Sequence, residues 1–186
     1  MKKKLGILIA KIVGYIFYDK KYFKGRYFES SSTGWNFILK CFFEQKILGK
    51  NRNAGFPVNG NSVLYNPNKV HFHIDDLNNF QSFGCYFQNF SGDIYIGKGT
   101  YIAPNVGIIT SNHDLMNLDN HYPGEDVVLG ENCWIGMNSV ILPGVTLGNN
   151  TIVAAGSVVT KSFIEGSYII GGSPAKIIRK INKNSH

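Results

Sequence analysis

Two shortages in this sequence each exclude a class of protein. Charged residues make up only 17% of the 186 residues, against 44% hydrophobic residues, which argues against a disordered chain. The three cysteines, Cys41, Cys85 and Cys133, include no CxxC pair, so neither a disulfide framework nor a zinc site is expected. We therefore expect one globular domain with at most an appendage, in a reducing cytoplasm and without a bound metal.

Positive charge is concentrated at the two ends of the chain. The net charge is +7, and the lysines and arginines lie mainly in residues 2–52 and 161–183. No stripe of basic residues follows a single element, which argues against a nucleic-acid partner. The distribution instead suggests two separate binding functions, one for a membrane surface at one end of the chain and one for a phosphorylated ligand at the other.

The N-terminal apolar run is too short to span a membrane. Residues 1–18 begin with three lysines and continue with mostly apolar residues, but Lys11 interrupts them and no small-x-small cleavage site follows. A span needs roughly 20 apolar residues. We expect an interfacial helix with Lys4 and Lys11 on its polar side, giving residues 1–28 a peripheral contact with the inner face of the cell membrane. The open alternative is a helix packed on its own domain or on a partner subunit.

An internal repeat of six residues governs the middle of the chain. Aliphatic residues recur at that interval, and in seven of the hexads a small or β-branched residue follows four positions later, often with glycine or asparagine between them, whereas Phe163 breaks this position where the coil should end. This period matches neither an α-helix nor a simple strand, but it fits one flat face of a three-sided parallel coil with roughly 18 residues per turn. The aliphatic positions are Ile96, Ile102, Ile108, Leu129, Ile135, Ile141, Leu147, Val153 and Val159.

The repeat predicts an all-β fold, a left-handed parallel β-helix with an N-terminal helical segment. We divide the chain into a helical, basic and aromatic segment (1–55), the coil domain (56–165) and a C-terminal tail (166–186). Between residues 62 and 90 the frame is blurred, and we expect irregular early turns whose outward aromatic side chains meet the N-terminal segment. Those aromatic residues are Phe72, Phe80, Phe83 and Phe87.

A polar interruption of the repeat predicts a protruding loop. From Ile108 to Leu129 the chain advances 21 residues, which is not a multiple of six. We place a loop at 109–128, and it carries His113 within Ser-Asn-His-Asp. Loops on a rigid scaffold often carry the chemistry of a protein.

Several segments, taken in order, resemble the hexapeptide-repeat acetyltransferases that act on galactosides, maltose and serine. The resemblance covers about half the chain in detail, with the histidine loop in the middle of the set. The matching segments are Tyr86-Phe87-Gln88-Asn89-Phe90, Ile102-Ala103-Pro104-Asn105-Val106, Trp134-Ile135-Gly136, Val140-Ile141-Leu142-Pro143-Gly144-Val145, Ala155-Gly156-Ser157-Val158-Val159-Thr160-Lys161 and Gly172-Ser173-Pro174-Ala175-Lys176-Ile177-Ile178-Arg179.

The resemblance implies acetyl transfer from acetyl-CoA, with His113 as the general base and no covalent acyl-enzyme. Imidazole titrates close to neutral pH, which suits that role. A carboxylate or a carbonyl should orient the ring, and Asp93, Asp114 and Asp126 are the carboxylate candidates. His121 is the only rival base in the loop. The family also implies a homotrimer with the donor site between subunits.

The same resemblance assigns binding residues. It implies an acceptor contact at Asn89, and we expect a second one at Asp114. It also implies acetyl-CoA-binding positions at Trp134 beside the donor channel, at Met137 and Ala155 along the pantetheine arm, and at Thr160. It further implies that basic side chains face the CoA phosphates, namely Lys161, Lys176 and Arg179.

The loop differs from that of the sugar acetyltransferases, because Asp114 stands where proline commonly follows the histidine. With its aromatic, basic N-terminus, the chain is more similar to enzymes that O-acetylate surface polysaccharides. We therefore expect O-acetylation of a sugar hydroxyl of such a polysaccharide or its precursor. Two alternatives stay open, N-acetylation of an amino-sugar nucleotide and a non-catalytic β-helix scaffold.

Overall fold

Two helices followed by a coil of short parallel strands make up residues 2–181, which a computed structural model describes. Met1 and the last five residues of the predicted 166–186 tail lie outside the described residues. The strands wind into three flat faces, which confirms the predicted left-handed parallel β-helix preceded by helices.

Each face of the coil is one sheet. The first face is built, in spatial order, from β1 (Val63–Leu64), β3 (Tyr86–Gln88), β6 (Gly107–Ile109), β9 (Val140–Ile141) and β12 (Val158–Val159). The second contains β2 (Val70–Phe72), β4 (Ile94–Ile96), β7 (Val127–Leu129) and β10 (Thr146–Leu147). The third contains β5 (Tyr101–Ile102), β8 (Trp134–Ile135), β11 (Ile152–Val153), β13 (Tyr168–Gly172) and β14 (Ala175–Lys180). The first corner joins the first and second faces, the second corner joins the second and third, and the third corner returns to the first.

Strand register gives the length of each turn directly. Val140 pairs with Val158 and Trp134 with Ile152, so a regular turn advances eighteen residues, as three hexads require. Tyr101 pairs with Trp134 at a separation of thirty-three, because this turn includes the histidine loop. The earliest turns are longer than eighteen residues, as the blurred frame predicts.

The interior of the coil is filled as the repeat predicts. The repeated aliphatic residues are at most 4% exposed, and the small residue four positions later is at most 1% exposed. The inward hydroxyls do not lie unsatisfied in this apolar space. Ser139 Oγ donates to the Ala154 carbonyl at 3.0 Å, and Thr100 and Thr151 donate to corner carbonyls in the same way. The small polar residues inside the coil therefore hydrogen-bond to the backbone carbonyls of its corners.

The third residue after each aliphatic position carries the sharp turn. In every regular hexad it is glycine or asparagine with a φ between +54° and +77°, a region that these two residues tolerate best, whereas serine follows Ile108 and Val159, where the regular repeat stops. The residues concerned are Gly99, Asn105, Asn132, Asn138, Gly144, Asn150 and Gly156.

A helical lobe covers the start of the coil. Helix α1 (Lys2–Phe17) packs on α2 (Thr33–Phe42), which continues as a π-helical turn (Phe43–Ile47). Short 3₁₀ segments occur at Lys20–Tyr22, Pro67–Lys69 and Ile74–Gln81. None of the helices within residues 2–181 has both the length and the apolar character needed to cross a membrane.

Buried Gln45 joins the lobe to the coil. It accepts a hydrogen bond from the Tyr18 hydroxyl at 3.1 Å and from Val58 N at 3.2 Å, and it donates to the Phe56 carbonyl at 2.9 Å.

The aromatic residues of the early turns differ from the expectation. Phe80 and Phe87 are fully buried, so they point into the coil rather than outward. Because the early turns are wider than the regular ones, their interior accepts rings where later turns accept only aliphatic side chains. Phe83 is 51% exposed, and Phe72 meets the N-terminal segment by stacking on Tyr22.

The segment 166–181, which the sequence interpretation sets apart as a tail, contains two strands. β13 pairs in parallel with β11 and so extends the third face by one more strand. β14 then turns back and pairs antiparallel with β13, which ends the coil.

Close stacking of backbone at the corners makes a direct stability prediction. A Cβ at Gly130 would lie 2.7 Å from Asn149 N in the next turn, whereas one at Gly107 would meet only Val140 Cγ2 at 3.7 Å. Gly130→Ala should therefore lower the free energy of unfolding by about 1–3 kcal/mol. Gly107→Ala, the matched control, should change it by less than about 1 kcal/mol. Urea unfolding midpoints measure both, and equal shifts would contradict the close corner contact.

Candidate active site

The histidine loop leaves the coil at the first corner, between β6 and β7. Its base is fixed by Gln88, a buried residue at the end of β3. Gln88 Oε1 accepts hydrogen bonds from Thr110 N and Ser111 N, each at 3.0 Å, and Nε2 donates to the Ser111 carbonyl at 2.9 Å. Sequence reasoning assigned Gln88 no role, because a lone glutamine in a strand gives no signal of the backbone that it will meet.

The loop then closes on itself as a small hairpin. His113 and His121 form an isolated antiparallel bridge, with Asp114 N donating to the Asn120 carbonyl and Tyr122 N to the Asn112 carbonyl, each at 2.9 Å. The tip carries exposed apolar side chains at Leu115, Met116 and Leu118. The histidines are therefore held by ordered backbone, while the tip presents an apolar surface.

One hydrogen bond sets the protonation pattern of His113. Its Nδ1 lies 2.7 Å from the Leu118 carbonyl oxygen, and a carbonyl oxygen can only accept. In the neutral ring Nδ1 must therefore carry the proton, which leaves the lone pair on Nε2. The ring is exposed at the surface of the loop. The arrangement leaves the exposed ring with a lone pair on Nε2 that can accept a proton.

The Leu118 carbonyl, and none of the three predicted carboxylates, orients the ring. Asp114 Oδ1 accepts from Met116 N at 2.8 Å, and Asp126 Oδ1 accepts from Asp93 N at 2.8 Å. Asp93 Oδ2 lies 2.7 Å from His71 Nε2 on the second face. These carboxylates satisfy loop backbone or other side chains, which corrects the candidate set.

A row of aromatic rings extends from His113 across the first face. The ring centroids of His113 and His121 are 4.1 Å apart, and those of His121 and Phe90 are 5.2 Å apart. Phe90 contacts Tyr65 at 5.8 Å, and Tyr65 contacts Tyr86 at 5.8 Å. We call these five residues the aromatic row. The sequence did not reveal it, because its members lie in different turns.

A cavity of about 490 Å³ lies beside Tyr65, in the part of the row farthest from His113. Its wall includes Asn51, Arg52, Asn53 and Tyr65, so it offers amide and guanidinium groups beside an aromatic ring. His113 does not line this cavity. The aromatic row extends from His113 to this cavity.

Asn89 lies at the first corner, fully buried. Its Oδ1 accepts from Asn66 N at 2.9 Å and its Nδ2 donates to the Asn66 carbonyl at 2.7 Å. In this conformation the side chain joins two turns of the coil and offers no surface to an acceptor. The expected direct contact is therefore corrected to a structural link between the turns beside the loop.

The residues expected to bind the donor separate into two groups. Thr160 and Lys161 follow β12 at the first corner, the same corner as the loop. Met137 and Ala155 stack one turn apart at the third corner, and Trp134 lies just before it on the third face. One chain thus divides the set between two corners of the prism.

Register places Arg179 on the same face as Trp134. Trp134 pairs with Ile152, Ile152 with Ile169, and Ile169 with Arg179, so the two side chains lie three strands apart, roughly 14 Å. Lys161, Lys176 and Arg179 are exposed, and within residues 2–181 none of the three forms an ion pair. Their charge is therefore available to a phosphate-bearing ligand.

Other nucleophiles and metal ligands are engaged elsewhere. Burial raises the pKa of Cys41 to about 11 and raises the pKa of Cys85 and Cys133 as well, so all three thiols stay protonated near neutral pH. His73 Nδ1 accepts from Asp75 N at 3.2 Å, which caps a helical turn. Among the residues that the structure describes, no group of three His, Cys, Asp or Glu side chains is placed to hold a metal.

Comparison with known proteins relates the coil to acetyltransferases. Residues 126–161 match the family model described as bacterial transferase hexapeptide (six repeats). The galactoside O-acetyltransferase of Escherichia coli K12 is 37% identical over 92 residues, which is 48% of this chain and 45% of that protein. WbbJ of the same organism, provisionally named a lipopolysaccharide biosynthesis O-acetyl transferase, is 40% identical over 101 residues, 48% of this chain and 51% of its own.

Solved structures with similar folds include one with a bound ligand. It is a hexapeptide-repeat acetyltransferase of Vibrio cholerae complexed with acetyl coenzyme A, 25% identical, with a TM-score of 0.47 over 66% of this chain and 69% of that one. This chain spans about half the length of the curated relatives it matches.

The hydrogen bonds of Gln88 predict how the loop is held. Gln88→Leu removes the side-chain partners of Ser111 N and O, so amide hydrogen exchange in residues 111–122 should accelerate by about tenfold or more. Gln45→Leu is the matched control, since it removes from the helical lobe a buried glutamine whose side chain makes at least as many hydrogen bonds as that of Gln88. It should leave exchange in the loop unchanged. Equal protection of the loop in Gln88→Leu and the unsubstituted protein would contradict this role.

Proposed function

Because the coil of this chain belongs to the hexapeptide-repeat acetyltransferase family, we propose that the protein transfers acetyl from acetyl-CoA to a sugar hydroxyl of a surface polysaccharide or its precursor. The observation that carries the proposal is the outward lone pair on His113 Nε2, fixed by the bond from Nδ1 to the Leu118 carbonyl. A sugar hydroxyl is a poor nucleophile until a base accepts its proton.

The proposed reaction is a direct transfer. His113 Nε2 takes the hydroxyl proton as the oxygen attacks the thioester carbonyl carbon, and backbone N–H groups stabilise the oxyanion that results. Collapse of that tetrahedral species breaks the carbon–sulfur bond and expels the CoA thiolate. The imidazolium then returns its proton to the sulfur. The Leu118 carbonyl keeps the ring in one orientation throughout.

The aromatic row supports a saccharide acceptor. The C–H faces of a sugar ring pack well on exposed aromatic rings, and the row provides such rings from His121 to Tyr65. A polymer lying along the row would reach the cavity beside Arg52, where amide and guanidinium groups are suited to further hydroxyl or acidic substituents. We propose that Asp114 contacts the acceptor through its Oδ2. Asn89 supports the site indirectly, because it links two turns of the coil beside the loop.

The division of the donor residues between two corners supports a homotrimer. Thr160 and Lys161 share the corner of His113, whereas Trp134, Met137 and Ala155 lie at or beside the third corner. If a neighbouring copy brings its third corner against the first corner of this chain, the two groups face one cleft. The exposed tip residues Leu115 and Met116 would then be covered by the neighbour.

The CoA phosphates fit the remaining residues. Lys161, Lys176 and Arg179 would bind the 3′-phosphate and the pyrophosphate, which matches a ligand whose charged end stays near solvent. Acetyl-CoA is made and used in the cytoplasm, and we place the protein there.

His113→Ala tests the base. Turnover of acetyl-CoA with a saccharide acceptor should fall by about 10² to 10⁴, with CoA binding retained, because only the proton acceptor is lost. Thiol release measures turnover, and calorimetry measures CoA binding. His121→Phe is the matched control, since it keeps a packed ring but no titratable nitrogen, and it should retain activity within about tenfold. Unchanged turnover in His113→Ala would end the assignment, and a larger loss in His121→Phe would make His121 the base.

Combined replacement of Lys161 and Arg179 by alanine tests the donor site. The KM for acetyl-CoA should rise by about tenfold or more, since two phosphate contacts are lost, while the KM for the acceptor stays the same. Lys98→Ala, which removes an exposed lysine at the second corner, should change neither value. A rise confined to the KM of the acceptor would contradict the proposed role.

A further inference from the structure

The outer side of α1 carries a continuous stripe of exposed apolar side chains. Leu5, Leu8, Ile9, Ile12 and Ile16 are between 46% and 66% exposed. Their spacing of three and four residues puts them on one side of the helix. Single exposed aliphatic residues are common on soluble proteins, but a contiguous stripe of this kind marks a surface that contacts something.

The stripe is not the side of α1 that packs on the protein. That side is formed by Ala10 and Gly14, both buried against α2, where a Cβ on Gly14 would come within 2.9 Å of Ile38 Cδ1. Burial of α1 on its own domain, one open alternative from the sequence, is therefore real, and Ile7 and Val13 are partly buried against the core on that side as well. Within residues 2–181 the opposite, apolar side stays exposed.

Exposed apolar residues continue onto α2 and the π-helical turn. Phe17 is 44% exposed, and its ring contacts Phe42 at 5.2 Å between centroids. Beyond that contact Phe43, Ile47 and Leu48 are each more than half exposed. The apolar surface thus extends past residues 1–28, the segment that the sequence indicated.

The same part of the chain accounts for the whole of the excess positive charge. Residues 1–52 contain twelve lysines and arginines but only three acidic residues, a net charge of +9, whereas residues 53–186 have a net charge of −2. Lys4, Lys11 and Lys40 are exposed on the two helices. An apolar stripe flanked by cations is complementary to a surface that is apolar inside and negatively charged outside.

We propose that the helical lobe binds the surface of an anionic lipid bilayer, with the stripe of α1 inserted at the level of the headgroups. Helix α1 has 16 residues, about 24 Å, which is shorter than the roughly 30 Å of a bilayer core. It therefore lies in the plane of the interface, and its lysines contact lipid phosphates. This surface is separate from the histidine loop, so the inference does not depend on the proposed acetyl transfer.

A second copy of this chain is the less suitable occupant. Two lobes packed stripe to stripe would bring a net charge of +9 against +9, since only Asp19, Glu29 and Glu44 offset the twelve lysines and arginines of each lobe. In the proposed homotrimer, the three stripes would instead lie at the same level along the threefold axis. Three weak contacts then act together on one membrane.

Vesicle co-sedimentation of the full chain tests the proposal. The protein should sediment with vesicles that contain phosphatidylglycerol and should remain in solution with pure phosphatidylcholine, and added salt should release it. The double variant Leu8→Glu, Ile12→Glu should lower the partition coefficient by about tenfold or more, since two inserted side chains become charged. Ile164→Glu is the matched control, an equally apolar exposed residue at the far end of the coil, and should bind like the unsubstituted protein.

Several outcomes would overturn the inference. If the unsubstituted protein fails to bind phosphatidylglycerol vesicles at low salt, the proposed membrane contact is wrong, whatever the variants do. Equal binding by the double variant and the control would place the contact elsewhere. If sedimentation velocity shows an oligomer that dissociates in the double variant, the stripe joins copies of the chain instead. The acetylation rate of both variants in solution should stay unchanged, which separates this test from the test of the active site.

Discussion

The structure depends on how little space a three-sided coil encloses. Each face allows one large aliphatic side chain to point inward, and each corner allows one small one, so the sequence must repeat every six residues. The corner residue must also adopt a positive φ, which restricts it to glycine or asparagine in all the regular hexads. Any additional chain has no room inside. The residues between β6 and β7 therefore leave at a corner, and that corner is where His113 stands.

The coil also explains how the site is held. The pairing of β3 with β6 brings the end of β3 directly beside the base of the loop, so Gln88 reaches the backbone of Thr110 and Ser111. The hairpin then presents the Leu118 carbonyl to His113. A continuous series of contacts thus runs from the rigid coil through the base of the loop to the imidazole. The residues proposed to bind acetyl-CoA on the third face form a separate group, which a neighbouring subunit would complete in the proposed homotrimer.

The sequence predicted the features that depend on residue spacing, but not the contacts between residues that lie in different turns of the coil. The hexads of residues 96–159 were predictable because each aliphatic residue repeats a local rule, and the polar interruption located the loop. Gln88, the aromatic row and the Leu118 carbonyl were not predictable, since each acts on a partner that only the register of the coil brings near. Phe80 and Phe87 were misjudged for a related reason, because the early turns are wider than the repeat implies. Asn89 was seen as a contact because its burial cannot be read from its position at a corner.

The central claim is that the Leu118 carbonyl holds His113 with its proton on Nδ1 and its lone pair on Nε2. Nitrogen-15 NMR of the histidine side chains, assigned with a His113→Asn variant and recorded where the ring is neutral, reports which nitrogen carries the proton. The account predicts a protonated Nδ1 and an unprotonated Nε2 for His113, in the free protein and with CoA bound. A proton on Nε2 would contradict it, since a ring in that form has no outward lone pair with which to accept the proton of a sugar hydroxyl.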